Sequence, residues 1–206
     1  MSEALRKGLF VIVSGFSGSG KGTVLSRVFE KNKDVKFSVS ATTRKPRTGE
    51  VHGVHYFFME RDEFKRLADD GGFAEYTETY GNCYGTPLSQ ITKSVEAGQD
   101  IILELDVKGT ANLKSIFPDA VAIFLTAPSL AIVKKRLIER GTENSGEVAL
   151  RIEQFKNEIK FMSFYDYLVI NDDIERCADD IITIIRAEHL RRARNQMQIN
   201  KIADID

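Results

Sequence analysis

At 206 residues the chain has the size of one domain able to bury a sizeable core. An apolar share of 42% and a charged share of 29% are those of an ordinary soluble protein, and the net charge of −1 gives no bulk attraction to nucleic acid or an anionic membrane. Cys83 and Cys177 lie far apart with neither disulfide nor metal spacing, which points to a reducing, cytoplasmic setting.

The N-terminal stretch MSEALRKGLFVIVSG lacks the long apolar region and small-residue cleavage site of a signal peptide. Unalternating apolar runs occur at Leu9–Val13, Ile101–Leu105, Ala120–Leu125 and Tyr167–Ile170, all too short to span a bilayer. Such runs suit strands buried on both faces, so the expected core is a parallel sheet covered by helices. After the first run, Leu25, Val28 and Phe29 share one helical face. From about Phe37 to Gln90 the chain alternates and is rich in Tyr, Thr, Gly and His, which reads as a small mixed or antiparallel sheet inserted into that core. Leu130, Val133 and Leu137 recur behind a Pro128–Ser129 start signal. Val148, Ile152, Phe155, Ile159 and Met162 then form a second helical stripe. A last helix is expected over roughly Ile174 to Gln196, ending in Arg191, Arg192 and Arg194. That basic end is a candidate homo-oligomer contact, with a solvated helix end as the plainer reading. His52, His55 and His189 have no metal-ligand spacing and are expected at solvated surface positions.

Gly15-Phe16-Ser17-Gly18-Ser19-Gly20-Lys21 fits G-x-x-x-x-G-K between an expected strand and an expected helix, the context the motif requires. Glycines allow close backbone approach, so successive N–H groups and the helix N-terminus can surround a polyphosphate, with Lys21 as a point charge. Gly22 stands where such loops commonly carry a serine or threonine, and the hydroxyl follows one place later at Thr23. Gly-Lys-Gly-Thr also occurs in nucleoside monophosphate kinases, where the threonine can supply a hydroxyl near a magnesium ion or the α-phosphate. The bland alternative is a glycine-rich turn with no ligand.

Arg44 and Arg47 flank Lys45-Pro46, with Ser40 before and Tyr56 after. Two guanidiniums with nearby hydroxyls make a fork for one phosphate monoester, although the cluster alone would read as a solvated basic turn. The stretch S-V-S-A-T-T-R-K-P-R-x-G-E-x-x-G-x-x-Y-x-F resembles the nucleotide-binding signature of guanylate kinases. The resemblance continues through G-N-x-Y-G-T at Gly81–Thr86, L-E-L-D-V-K-G at Leu103–Gly109, R-L-I-E-R-G-T-E at Arg136–Glu143 and V-I-N-D-D at Val169–Asp173.

That resemblance implies an α/β P-loop nucleoside monophosphate kinase: a parallel sheet core flanked by helices, an inserted small mixed-sheet GMP-binding subdomain and a helical lid. The whole chain, 1–206, would be one domain, with core about 7–38, 97–139 and 165–197, insert about 39–96 and lid about 140–164. It implies ATP-dependent phosphorylation of GMP, with dGMP also accepted, and Mg2+ arriving with ATP. ATP would lie on Gly15, Phe16, Ser17, Gly18, Ser19, Gly20, Lys21, Gly22 and Thr23, with Arg136 and Asn171 alongside and Thr23 towards the metal. Glu75 in FAEY would read the base, because a carboxylate accepts both N1–H and N2–H₂ of guanine whereas adenine presents an acceptor at N1. Ser40, Thr86 and Asp106 would complete the base site, and Arg44, Arg47, Tyr56 and Tyr84 the GMP phosphate site. Lys21, Arg44, Arg140 and Arg151 would stabilise the transferred charge. The partners implied are small molecules, with no nucleic acid or membrane. Four positions depart from the commoner family residues: Phe16, Gly22, Cys83 and Glu104.

Overall fold

The computed structural model describes residues 7–16, 18–79, 81–139, 152–153 and 159–203. Five strands form a wholly parallel sheet: β1 (Phe10–Ser14), β2 (Lys36–Phe37), β7 (Ile101–Glu104), β8 (Val121–Thr126) and β9 (Tyr167–Ile170), in the order β2-β7-β1-β8-β9. The unalternating runs have a direct physical cause, since both faces of this sheet are buried. Val11 and Val13 of β1 pack with Val24, Leu25 and Val28 of α1 (Lys21–Lys31) and with Ile181 and Ile185 of a long C-terminal helix. Phe10 and Ile12 pack on the other side with Leu113 of α4 (Val107–Ile116) and Ile91 of α3 (Leu88–Glu96). Helices on both faces are what parallel crossovers produce.

The expected insert is a second sheet, β4-β3-β6-β5, made of β3 (Ala41–Thr42), β4 (Phe57–Phe58), β5 (Phe73–Thr79) and β6 (Asn82–Pro87), with parallel and antiparallel pairs. Side chains alternate between its faces. One face packs Ala41, Phe57 and Phe73 on Phe64 of α2 (Arg61–Asp69), with Phe64 and Phe73 stacked at 4.4 Å. Gly85 is needed there, because a Cβ would lie 2.9 Å from the Phe73 ring and 3.0 Å from that of Phe64. The other face carries Phe58, Glu75, Tyr84 and Thr86.

Three expectations change. Of the expected helical stripe, Ile152 lies in a helical stretch, whereas Ile159 and Met162 lie in a 3-10 helix at Ile159–Phe164, just before β9. Its Val148 and Phe155 lie outside the described residues. The last helix is α6 (Ile174–Leu190), followed by a 3-10 turn at Arg192–Arg194 and α7 (Gln196–Ile202). Arg191 leaves helical geometry at ψ 129°, and Arg191 and Arg194 fold back at 3.2 and 3.4 Å onto the buried carboxylate of Glu188, which also accepts from the Tyr167 hydroxyl at 2.6 Å. The third change is His189, which is 8% exposed rather than a surface residue and lies 2.9 Å from both oxygens of Asp100.

Candidate active site

Ligand sites in open parallel sheets form beyond the carboxyl ends of the strands, where the strand order switches direction. Here those ends deliver the loop after β1, Glu104 at the end of β7, and Asn171 just after β9. Gly18 and Gly20 take φ of 82° and 90°, the left-handed region that glycine enters without strain. Gly20 caps α1, so the amides that begin the helix open towards the loop. Lys21 Nζ donates to the carbonyl oxygens of Gly15 at 2.7 Å and Phe16 at 3.4 Å, and lies 3.8 Å from Glu104 Oε1. A Cβ on Gly22 would meet nothing within 4 Å, so its missing side chain leaves open space at the mouth of the loop. Thr23 is exposed beside it.

The second sheet assembles two groups. At one end Arg44 Nη1 and Nη2 donate to the two oxygens of Glu50 at 2.9 and 2.8 Å, a bidentate fork. Glu50 also accepts the Arg47 backbone N–H at 2.7 Å. The Arg44 guanidinium holds the Glu50 carboxyl down to about 2. That guanidinium lies 5.4 Å from the Tyr56 ring centroid, and the Tyr56 and Tyr84 rings are 6.2 Å apart. Burial first, and then the neighbouring Tyr84, raise the Tyr56 phenol, so it remains a proton donor. At the other end the Thr86 hydroxyl donates to Glu75 Oε1 at 2.9 Å across the β5–β6 pair. Asp106 caps α4 by accepting the Gly109 N–H at 2.7 Å. Burial raises the Glu75 carboxyl, the Thr86 hydrogen bond opposes this, and the Asp106 charge adds to it. Glu104 joins the two halves, since its charge reaches Tyr56 as well as Lys21.

Residues 7–188 match the family model described as Guanylate kinase. The chain belongs to the guanylate kinase family. It is 44% identical to the guanylate kinase of Oceanobacillus iheyensis over 198 residues, 96% of each chain. With that of Caldanaerobacter subterraneus it shares 42% over 199 residues, 97% of each. The crystal structure of guanylate kinase from Anaplasma phagocytophilum is similar at TM-score 0.76 and 30% identity, covering 96% of this chain and 95% of that one.

Within this guanylate kinase fold the expected residues separate clearly. Arg44, Tyr56 and Tyr84 form one cluster, and Glu75, Thr86 and Asp106 another. Arg47 is exposed beside the first, while Ser40 is half-buried and accepts the Phe57 N–H through its carbonyl. Ser17, Arg140 and Arg151 lie outside the described residues. Arg136 and Asn171 both reach the glycine loop through the Ser19 carbonyl. Sequence reasoning missed Glu50, although it stands in the R-x-G-E of the signature and its spacing from Arg44 was the available signal. Cys177 is buried and its thiol is pushed up to about 12, which makes it inert.

Proposed function

We propose that the protein transfers the terminal phosphoryl group of ATP to GMP, forming GDP and ADP, and that the residues above divide the work as follows. The triphosphate lies in the loop Gly15–Lys21 and against Gly22 and Thr23, its oxygens competing with the Gly15 and Phe16 carbonyls for Lys21. Glu75 reads guanine by accepting two N–H groups, supported by Thr86, Ser40 and Asp106. Arg44, Arg47, Tyr56 and Tyr84 receive the acceptor phosphate, which displaces Glu50 from part of the Arg44 fork.

A phosphate oxygen of GMP forms the new bond to the terminal phosphorus as the bond to the bridging oxygen of ADP breaks. The acceptor is already ionised, so no general base is required. Lys21 and Arg44 then neutralise charge on the transferred group, joined by Arg140 and Arg151 from the lid. Among the described residues no group of three or more His, Cys, Asp or Glu is placed to hold a metal. The oxygen donors next to the loop, Thr23 and Glu104, suit a hard cation carried in by phosphates. When bound, Mg2+ supplies neutralising charge to the phosphate oxygens. Movement of insert and lid over the core would exclude water. Among the described residues no helix is long and apolar enough to cross a membrane. The two free cysteines fit a reducing cytoplasmic compartment.

The observation that carries this reading is Glu75 held by Thr86 on the open face of the second sheet, a half-buried carboxylate with acceptor capacity to spare. The test is ADP formation from Mg-ATP with GMP, dGMP, AMP or no acceptor. GMP and dGMP should both support turnover. ADP formed with AMP but not GMP would remove the base assignment, and none with any acceptor would remove the kinase reading.

A further inference from the structure

Two side chains from distant parts of the chain converge on one backbone atom. Asn171 Nδ2 donates to the Ser19 carbonyl oxygen at 2.7 Å, and Arg136 Nη1 from α5 (Leu130–Glu139) donates to the same oxygen at 3.2 Å. Arg136 Nη2 donates to the Asn171 carbonyl at 3.1 Å, so the guanidinium braces the asparagine as well as the loop. Asn171 is 3% exposed, and its amide nitrogen occupies the place a Cβ of Gly20 would need.

We propose that Asn171 and Arg136 are positioning residues that fix the orientation of the Ser19–Gly20 peptide, rather than residues that contact the nucleotide base. The argument starts from the peptide itself. A trans peptide is planar, so anchoring its carbonyl on one side directs the following N–H to the other. The Gly20 N–H is one of those a glycine loop offers to a polyphosphate. Glycine has no steric preference that would hold this plane, since it populates both signs of φ. The same freedom that lets Gly20 adopt φ 90° therefore leaves the peptide free to turn, and an external anchor has to hold it. Two donors on one carbonyl, one of them charged and gripping the other's backbone, make such an anchor. Asn171 Oδ1 is closed to solvent and has no hydrogen-bond partner among the described residues, so it is the amide nitrogen alone that the loop engages.

The inference rests on the loop binding a nucleoside triphosphate, and its test reads binding separately from turnover. Calorimetry with Mg-ATP and Mg-ITP, which lacks the 6-amino group of adenine, would be run on wild type, Asn171→Ala, Asn171→Asp and Arg136→Ala. Thermal denaturation of each would show that the variants are folded. Kinetics with GMP as acceptor would accompany the binding data. Each single variant should weaken both triphosphates about tenfold, the size of one lost hydrogen bond to a preorganised group. The ATP-to-ITP ratio and the KM for GMP should stay unchanged. Asn171→Asp, of equal size but bringing an acceptor against the Ser19 carbonyl, should be at least as damaging as Asn171→Ala. The double variant Arg136→Ala/Asn171→Ala should lose less than the product of the two single effects, since both act on one peptide. A changed ATP-to-ITP ratio in Asn171→Ala would make Asn171 a base contact and overturn the proposal. So would triphosphate affinity that is unchanged while the melting temperature falls. A wild type that binds both triphosphates without phosphorylating GMP would overturn the kinase reading and leave the binding comparison to decide this one. A wild type that binds neither triphosphate would remove both.

Discussion

Burial raises the Glu75 carboxyl above its ordinary value of 4.5, and this single shift ties stability to function. In the folded chain Glu75 keeps its proton to higher pH than in the unfolded chain. Its contribution is therefore most favourable below the unfolded pKa and is lost as pH rises through the folded one. Reading guanine requires the ionised form, which accumulates only above the folded pKa. Removing the charge with Glu75→Gln should raise the melting temperature of the nucleotide-free protein at neutral pH while GMP turnover falls. The kcat/KM for GMP of wild type should drop as pH falls through the raised pKa. The variant should lack that limb and retain only the ionisation of GMP itself. Thermal melts and a pH–rate profile of both proteins check this, and a variant that melts lower would contradict it. Gly22 supports a second prediction at this scale. Its Cβ position is open and it lies within α1, so Gly22→Ala should stabilise the protein by roughly 0.5–1 kcal/mol in urea denaturation. The residues of the candidate site were legible because family motifs carry them in order. Glu50 stands in the same signature, but its role as partner of Arg44 shows only once the chain folds back from Arg47.

The elements divide by whether their sequence signal was local. The four long strands of the parallel sheet were readable because burial on both faces demands unbroken apolar runs, and β9 matches its run end to end. The second helix, α2, escaped notice, although Phe64, Leu67 and Ala68 make an apolar face at helical spacing. Its surroundings alternate, and nine residues give little room for a helical period to stand out. Its importance is greater than its length, since Phe64 supports the sheet beneath the Glu75 and Tyr84 face. Phe64→Ala should cost about 3–5 kcal/mol by urea denaturation and should raise the KM for GMP more than that for ATP. Equal changes in the two KM values would mean that the sheet does not depend on this packing. The C-terminal break was invisible for another reason. Helical periodicity runs on past Leu190, but Arg191 and Arg194 turn back because the buried Glu188 carboxylate requires cations. His189 likewise reads as an isolated polar residue until the fold brings Asp100 beside it.

For the whole molecule, the parallel sheet places the glycine loop and Glu104 at one edge, and the second sheet turns its open face carrying Arg44, Tyr84 and Glu75 to the same region. On the proposed reading a phosphate-donor site and a guanine-reading acceptor site share a boundary at Glu104, which lies 3.8 Å from Lys21 and whose charge acts on Tyr56. Membership of the guanylate kinase family, with relatives aligned over nearly the whole chain, agrees with that arrangement. The central claim is that a half-buried carboxylate on the second sheet chooses the acceptor base. The most direct measurement is kcat/KM for GMP and for AMP, in wild type and in Glu75→Gln. Wild type should favour GMP by roughly 10⁴-fold or more, the discrimination typical of a site built to hydrogen-bond one partner. The glutamine variant should lose most of that preference through GMP, because its amide offers one acceptor where guanine presents two donors. An unchanged preference in Glu75→Gln would contradict the account and move base selection to another part of the molecule.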